Sequence, residues 1–166
     1  MIFLFPTEKE AERLREVRPD LDIRICGVGA VECALAAQKV VAKGKDVLLC
    51  GIAGAYDSSL EKGDVVAVAE ERFCRLSSGY NATYRATMVV EGLPTVVSNT
   101  VSHCAQGADG AALENMEGAM LFALCAEEGV RCGEIRSISN YVGEERAAWQ
   151  IDLALENLTN FIAENF

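Results

Sequence analysis

The spacing of apolar and polar positions changes several times along the chain, and each change marks an element. Residues 2–5 form a continuous apolar run of strand length, followed by Thr7-Glu8-Lys9-Glu10. A hydroxyl with a glutamate three residues on is a capping box, so a helix is predicted here. Ala11, Leu14 and Val17 form its apolar stripe, and Pro19 stops it. Residues 22–26 predict a second strand, and Gly27 and Gly29 turn the chain into a helix over about 30–42. Residues 46–50 show no polar alternation, as expected of a strand covered on both faces. Beyond residue 64 longer strands are predicted over 64–76 and 84–90, then an apolar strand over 94–99. Residues 117–128 predict a helix with Met120, Leu121, Leu124 and Cys125 on its buried stripe. A strand over 134–140 and an amphipathic helix over 147–164 close the chain.

Strand, helix, strand, helix, strand is the order of right-handed crossover units and a parallel sheet. The expected fold class is α/β, a three-layer α/β/α arrangement around a central mixed, twisted sheet. At 166 residues, with no linker or repeat, residues 1–166 are expected to form one domain. Gly27, the 51–54 segment, Asn99 and Asn140 all fall at strand ends. Ligands of such sheets sit beyond the carboxyl ends of the strands.

Composition narrows the function classes. A net charge of −10 argues against nucleic-acid and anionic-membrane partners, which need a basic face. No run approaches the eighteen or so apolar residues that span a bilayer, and residues 1–5 are too short for a signal peptide. The seven cysteines lack paired C-x-x-C spacing and His103 is the only histidine, so no metal site is expected. Thiols inside apolar runs act as small hydrophobes, which suits a reduced, cytoplasmic protein.

Glu114-Asn115-Met116-Glu117-Gly118-Ala119 carries the most specific chemistry. Met116 offers a soft apolar surface, Glu117 two acceptor oxygens, and the small residues room for close approach. A ribose fits that set, because its two hydroxyls can donate to one carboxylate while its ring rests on a thioether. The alternative is a glutamate in the first turn of a helix, where a negative charge suits the dipole.

Other segments bear on the choice. Gly51-Ile52-Ala53-Gly54-Ala55 followed by Leu60-Glu61-Lys62-Gly63-Asp64-Val65-Val66 resembles the purine nucleoside phosphorylase and nucleosidase superfamily, as does Gly27-Val28-Gly29-Ala30. Ser139-Asn140-Tyr141-Val142-Gly143, with Arg146 and Trp149, is similar to the C-terminal stretch of futalosine hydrolases. The resemblance implies a nucleoside phosphorylase-like fold and a small-molecule nucleoside substrate, with no cofactor. It implies a homodimer and hydrolytic release of a purine, hypoxanthine from futalosine or a related nucleoside. A phosphorylase, a methylthioadenosine/adenosylhomocysteine nucleosidase and a non-catalytic nucleoside-binding protein are the alternatives.

By the same resemblance Glu10 is the base that activates water, with Glu8 next in line; the capping box is the competing role for Glu10. Met116 and Glu117 hold ribose, and Glu117 also faces the developing sugar cation. Adenosine-type nucleosidases carry an Asp at the position of Asn140. An amide donates a hydrogen bond but no proton, which suits the acceptor edge of a 6-oxopurine; the alternative is an amide bonded to its own backbone. Gly54, Asn115, Tyr80 and Tyr84 complete the expected substrate contacts. Between about residues 74 and 96 the chain is shorter than the family, so the base side of the pocket is expected to be reduced.

Overall fold

The computed structural model describes residues 1–73, 82–103 and 107–166. The elements run β1 (Ile2–Phe5), α1 (Glu8–Val17), β2 (Ile23–Ile25), α2 (Ala30–Val41), β3 (Val47–Ala55), β4 (Val65–Phe73) and β5 (Ala82–Arg85). They continue with β6 (Thr95–Thr100), β7 (Leu113–Asn115), α3 (Gly118–Glu128), β8 (Cys132–Tyr141) and α4 (Ile151–Asn165), the last preceded by a 3-10 turn at Arg146–Ala148. The strands form one mixed sheet ordered β2-β1-β3-β7-β6-β4-β5, and β8 pairs with both β3 and β4. Five strands, β3, β7, β6, β4 and β8, therefore close a ring of pairing.

Strand alternation builds the layers. From β1 and β3, Ile2, Leu4, Val47 and Leu49 pack with Cys33, Val40, Leu121 and Phe122 of α2 and α3. The residues between them, Phe3, Phe5 and Leu48, pack with Leu14 of α1 and Leu158 and Ile162 of α4. The expected three-layer α/β/α architecture with a mixed sheet is what the chain adopts. A third small cluster, including Ala53, Val66, Leu113 and Ile138, is drawn from strands of the ring. Five cysteines, Cys26, Cys33, Cys50, Cys125 and Cys132, are free and buried. Among the described residues no helix is long and apolar enough to cross a membrane.

Several departures from the sequence reading shape the site. β3 runs on to Ala55 instead of stopping at Cys50, because its glycines and alanines continue pairing with β8 through a register shift after Ala53. β7, the short strand over the Glu-Asn motif, is not foreshadowed by any periodicity; it pairs with β3 on one side and β6 on the other. The β5 strand spans Ala82–Arg85, and residues 86–90 of the expected 84–90 strand are not strand. The β4–β6 register slips between Val68 and Glu70. Such a bulge re-aims the side chains beyond it: Glu71 is fully buried, whereas Glu70 pairs with Arg72 and the exposed Arg85.

Candidate functional site

A cleft of about 270 Å³ opens where β1, β3, β7 and β8 end, lined among others by Glu10, Gly54, Asn115, Met116, Glu117, Arg136, Asn140 and Trp149. Most of the expected site residues thus meet at one place although they are drawn from both ends of the chain. Tyr84 does not join them: it sits on β5 opposite Glu71 and packs against the α2–α3 cluster, because β5 lies at the far edge of the sheet. Tyr80 lies outside the described residues.

Glu10 reaches the cleft from the first turn of α1. The Thr7 side chain caps this helix by accepting the Glu10 N–H at 3.2 Å. The Glu10 carboxylate does not complete a capping box by returning to the Thr7 N–H. Its Oε2 takes the Thr7 hydroxyl at 2.6 Å and its Oε1 takes the Ile52 N–H of β3 at 3.1 Å. The two competing roles are therefore merged: Thr7 does the capping, and its hydroxyl aims the carboxylate. Burial raises the proton affinity of Glu10 above the ordinary carboxylate value; the bonds from Thr7 and Ile52 and the charge of Arg136 oppose the rise.

Glu117 is the N-cap of α3, one position outside the expected first turn, and is only 3% exposed. Its Oε1 accepts the Gly29 N–H at 2.9 Å, and its Oε2 accepts from Arg136 Nη2 at 3.2 Å. Gly29 can offer that N–H because its φ of 97° starts α2 in a conformation natural to glycine. Glu117 is thus paired, yet it remains on the cleft wall beside half-buried Met116.

Asn115 lines the cleft as expected and also has a structural task. Its Oδ1 accepts the N–H groups of Glu117 and Gly118, each at 2.8 Å, and Arg136 Nη2 at 3.1 Å. Its Nδ2 donates to Glu71 Oε1 at 2.6 Å and to Ser98 at 2.8 Å. Both amide hydrogens and the acceptor oxygen are engaged inside the protein, so Asn115 caps α3 and organises the floor of the cleft rather than offering a free group. Gly54 is likewise a spacer, since a Cβ there would stand 3.0 Å from Asn140 Nδ2. Asn140 lines the cleft with its amide turned inward: Nδ2 donates to Tyr141 O at 3.0 Å and Oδ1 accepts the Ser139 hydroxyl at 2.7 Å.

Arg136 is the residue the sequence reading missed. Polar in the middle of β8, it is 1% exposed and bridges Glu134, by Nε at 2.7 Å, to Glu117. A Cβ on Gly51 would lie 2.7 Å from Arg136 Nη1 and 3.0 Å from Glu10 Oε1, so both groups flank that glycine. Glu10, Arg136 and Glu117 consequently form a row across the floor. A signal was available: an arginine two residues after a glutamate, inside an otherwise apolar strand, needs buried acceptors. Trp149 enters the sequence reading only as part of a resemblance. It lines the cleft and carries the Arg146 guanidinium 4.3 Å over its ring, providing an aromatic wall that Tyr84 does not.

A carboxylate of raised proton affinity facing a second, cation-paired carboxylate across a small cleft is equipped to bind hydroxyls on one side and to activate water on the other. Comparisons with known proteins give relatives for the chain as a whole. The Phosphorylase superfamily model matches residues 105–165. Futalosine hydrolase of Thermus thermophilus is 29% identical over an alignment covering 82% of this chain and 76% of that protein. Among solved structures, the 5′-methylthioadenosine/S-adenosylhomocysteine nucleosidase of Helicobacter pylori superposes with a TM-score of 0.83 at 16% identity, covering 98% of this chain and 95% of that one. The futalosine hydrolase of Helicobacter pylori strain 26695 gives 0.77 at 16% identity, covering 97% and 94%. The chain is thus similar to the phosphorylase superfamily over residues 105–165 and to futalosine hydrolase over most of its length, and it shares its fold with nucleosidases of known structure.

Proposed function

We propose that the chain is a nucleosidase that hydrolyses the N-ribosidic bond of a purine nucleoside. The observation that carries this reading is the row Glu10–Arg136–Glu117 on the cleft floor. Glu117 and Met116 receive the ribose, with the carboxylate accepting its hydroxyls and stabilising the oxocarbenium-like sugar as the bond to the base breaks. Each hydroxyl bond to a charged acceptor contributes roughly 1.5–3 kcal/mol. Glu10 takes a proton from the attacking water, a task for which its raised proton affinity suits it. Trp149 offers its ring face to the base.

Water is favoured over phosphate as the attacking group because four of the five N–H donors of Arg136 are engaged inside the protein and its charge is shared by two carboxylates. Nε is held by Glu134, Nη2 by Asn115 and Glu117, and Nη1 points at Ile52 O at 3.3 Å. The substrate proposed is futalosine or a related 6-oxopurine nucleoside. Support comes from the similarity to futalosine hydrolase and from an amide, Asn140, where a protonatable acid would serve adenine.

The cleft, at about 270 Å³, falls below the range of about 300–1,000 Å³ usual for ligand pockets. We assign its completion to a second copy of the chain. Val28 lines the cleft and is 49% exposed, and the adjoining face of α2 leaves Val31 and Leu35 more than half exposed. The test is incubation of purified protein with futalosine, inosine, methylthioadenosine and adenosylhomocysteine, with and without phosphate, and quantification of free base. Release without phosphate is expected. Release only with phosphate makes the protein a phosphorylase, and binding without release makes it a nucleoside-binding module.

A further inference from the structure

Behind the cleft floor, between the strand ring and α3, lie two carboxyl groups that the hydrolytic scheme does not use. Glu71 of β4 and Glu134 of β8 are both fully buried. A Cβ placed on Gly118 would stand 2.5 Å from Glu71 Oε1 and 2.5 Å from Glu134 Oε2, so the two oxygens flank the same point. Glu134 Oε1 accepts Arg136 Nε, but Glu134 Oε2 is buried and receives no N–H or hydroxyl hydrogen. Two buried anions that close cannot both stay ionised without a dedicated cation. The charged and titratable groups around them are Glu117 at the start of α3, Glu10 of α1, Cys50 of β3, Tyr84 of β5, and Cys132 and Arg136 of β8. Arg136 is the one cation among these, and it is already shared with Glu117.

We propose that Glu71 and Glu134 hold a single proton between them, and that this acid–carboxylate pair positions Arg136, and through it Glu117, on the cleft floor. The proton sits on Glu71 Oε1 and is donated to Glu134 Oε2, which gives the orphaned oxygen its partner. One negative charge remains on Glu134 to hold Arg136 Nε. Burial and the neighbouring Glu134 charge push Glu71 well above the ordinary carboxylate range, in the direction this arrangement requires. The kinetic consequence rests on the nucleosidase reading, whereas the pair itself rests on geometry.

The hydrogen-bond pattern distinguishes the two positions. At 71 the group must accept from Asn115 Nδ2 and from the Thr100 hydroxyl while donating to Glu134. Only a carboxylic acid does all three, because one end of a glutamine amide cannot accept. Asn115 cannot rotate to help, since its oxygen is held by two backbone N–H groups and Arg136. At 134 a glutamine fits: its oxygen takes Arg136 Nε and its NH₂ donates to an ionised Glu71. E134Q therefore reproduces the charge and the bonding of the one-proton pair, and E71Q does not.

The decisive measurement is infrared difference spectroscopy of native protein, E71Q and E134Q at neutral pH, without substrate. The expected result is a protonated-carboxyl carbonyl band in native protein that is missing from both variants. A band absent from native protein, or present in both variants and so belonging to another group such as Glu10, overturns the pair. With an active substrate, kcat of E71Q is expected to be at least about tenfold below that of E134Q, the loss of about one buried hydrogen bond. The alkaline decline of native kcat, where the second charge forms and draws Arg136 from Glu117, is expected to vanish in E134Q. Equal loss in both variants with an unchanged pH profile assigns the glutamates a merely structural role. If no nucleoside is cleaved the infrared result still decides the pair, and turnover without the band removes the pair alone.

Discussion

Replacing Glu10 by glutamine separates chemistry from folding, because the hydrogen bonds of this side chain are nearly all available to an amide. An amide oxygen in the place of Oε1 keeps the Ile52 N–H bond, and the Thr7 hydroxyl still caps α1 through the backbone N–H of position 10. Only the donation from Thr7 to Oε2 is broken, a bond contributing on the order of 1 kcal/mol. Against it stands the removal of a buried charge. Since the folded-state proton affinity of Glu10 is raised, its ionisation costs stability, and that cost is complete once pH exceeds the raised value. Near neutral pH the two effects oppose each other, so Tm of E10Q is expected to match or exceed that of native protein. As pH rises from the ordinary carboxylate value through the raised one, the difference should move in favour of E10Q. Turnover behaves otherwise. A lost general base lowers kcat by about 10²–10⁴, measured as base released from nucleoside by chromatography, and the native acid limb should lie above the usual carboxylate range. Retention of more than a tenth of native kcat by well-folded E10Q would refute Glu10 as the base, and a loss of folding would refute the bonding assigned to its carboxylate.

Other outcomes follow from the same geometry. Glu117→Gln removes the charge that pairs with Arg136 and is proposed to receive the ribose, so kcat/KM should fall by roughly 10²–10³, two weakened charge-assisted bonds; full turnover would exclude Glu117 from ribose binding. Gly118→Ala drives a Cβ against Glu71 and Glu134, and chemical denaturation should report about 1–3 kcal/mol of lost stability, with no loss counting against the packing described. Asn140→Asp should shift preference among the purine nucleosides toward adenine, and an unchanged ratio of kcat/KM values would detach Asn140 from base choice. A Val31→Glu, Leu35→Glu double variant should elute as a smaller species in size-exclusion chromatography with light scattering; an unaltered mass would place the interface elsewhere or nowhere.

Most of the layers were legible because their signals are local. The capping Thr7, the Gly27–Gly29 turn and the unbroken apolar strands each announce themselves within a few residues, and their order implies the sheet. The Met116-Glu117 pair stood out for a different reason, its odd composition, and the structure puts both residues on the cleft wall with Glu117 also the N-cap of α3. What escaped depended on pairing across distant sequence. β7 is three residues long and exists because β3 and β6 flank it, so no periodicity could reveal it. Arg136 reads as an isolated polar residue until Glu117 and Glu134 are seen around it. Tyr84 was expected at the pocket from its residue type alone, and sheet order, which no local signal gives, put it at the far edge. Asn115 was named among the expected substrate contacts and does line the cleft, but that its amide is bonded inside the protein, capping α3, depends on partners far off in sequence.

The ring of five strands has a consequence for motion. Each member is bonded on two sides, so none can swing aside to admit a ligand without breaking a ladder of backbone bonds, and Arg136 is carried by a strand held in this way. Entry must then be governed by the rim that stands outside the ring. The turn from Glu144 to Gln150 is such a rim, with Arg146 exposed and Trp149 tied back by its indole N–H to Glu144 O at 3.3 Å. The floor thus keeps its shape from one ladder to the next, and any accommodation of a guest falls to the turn above it.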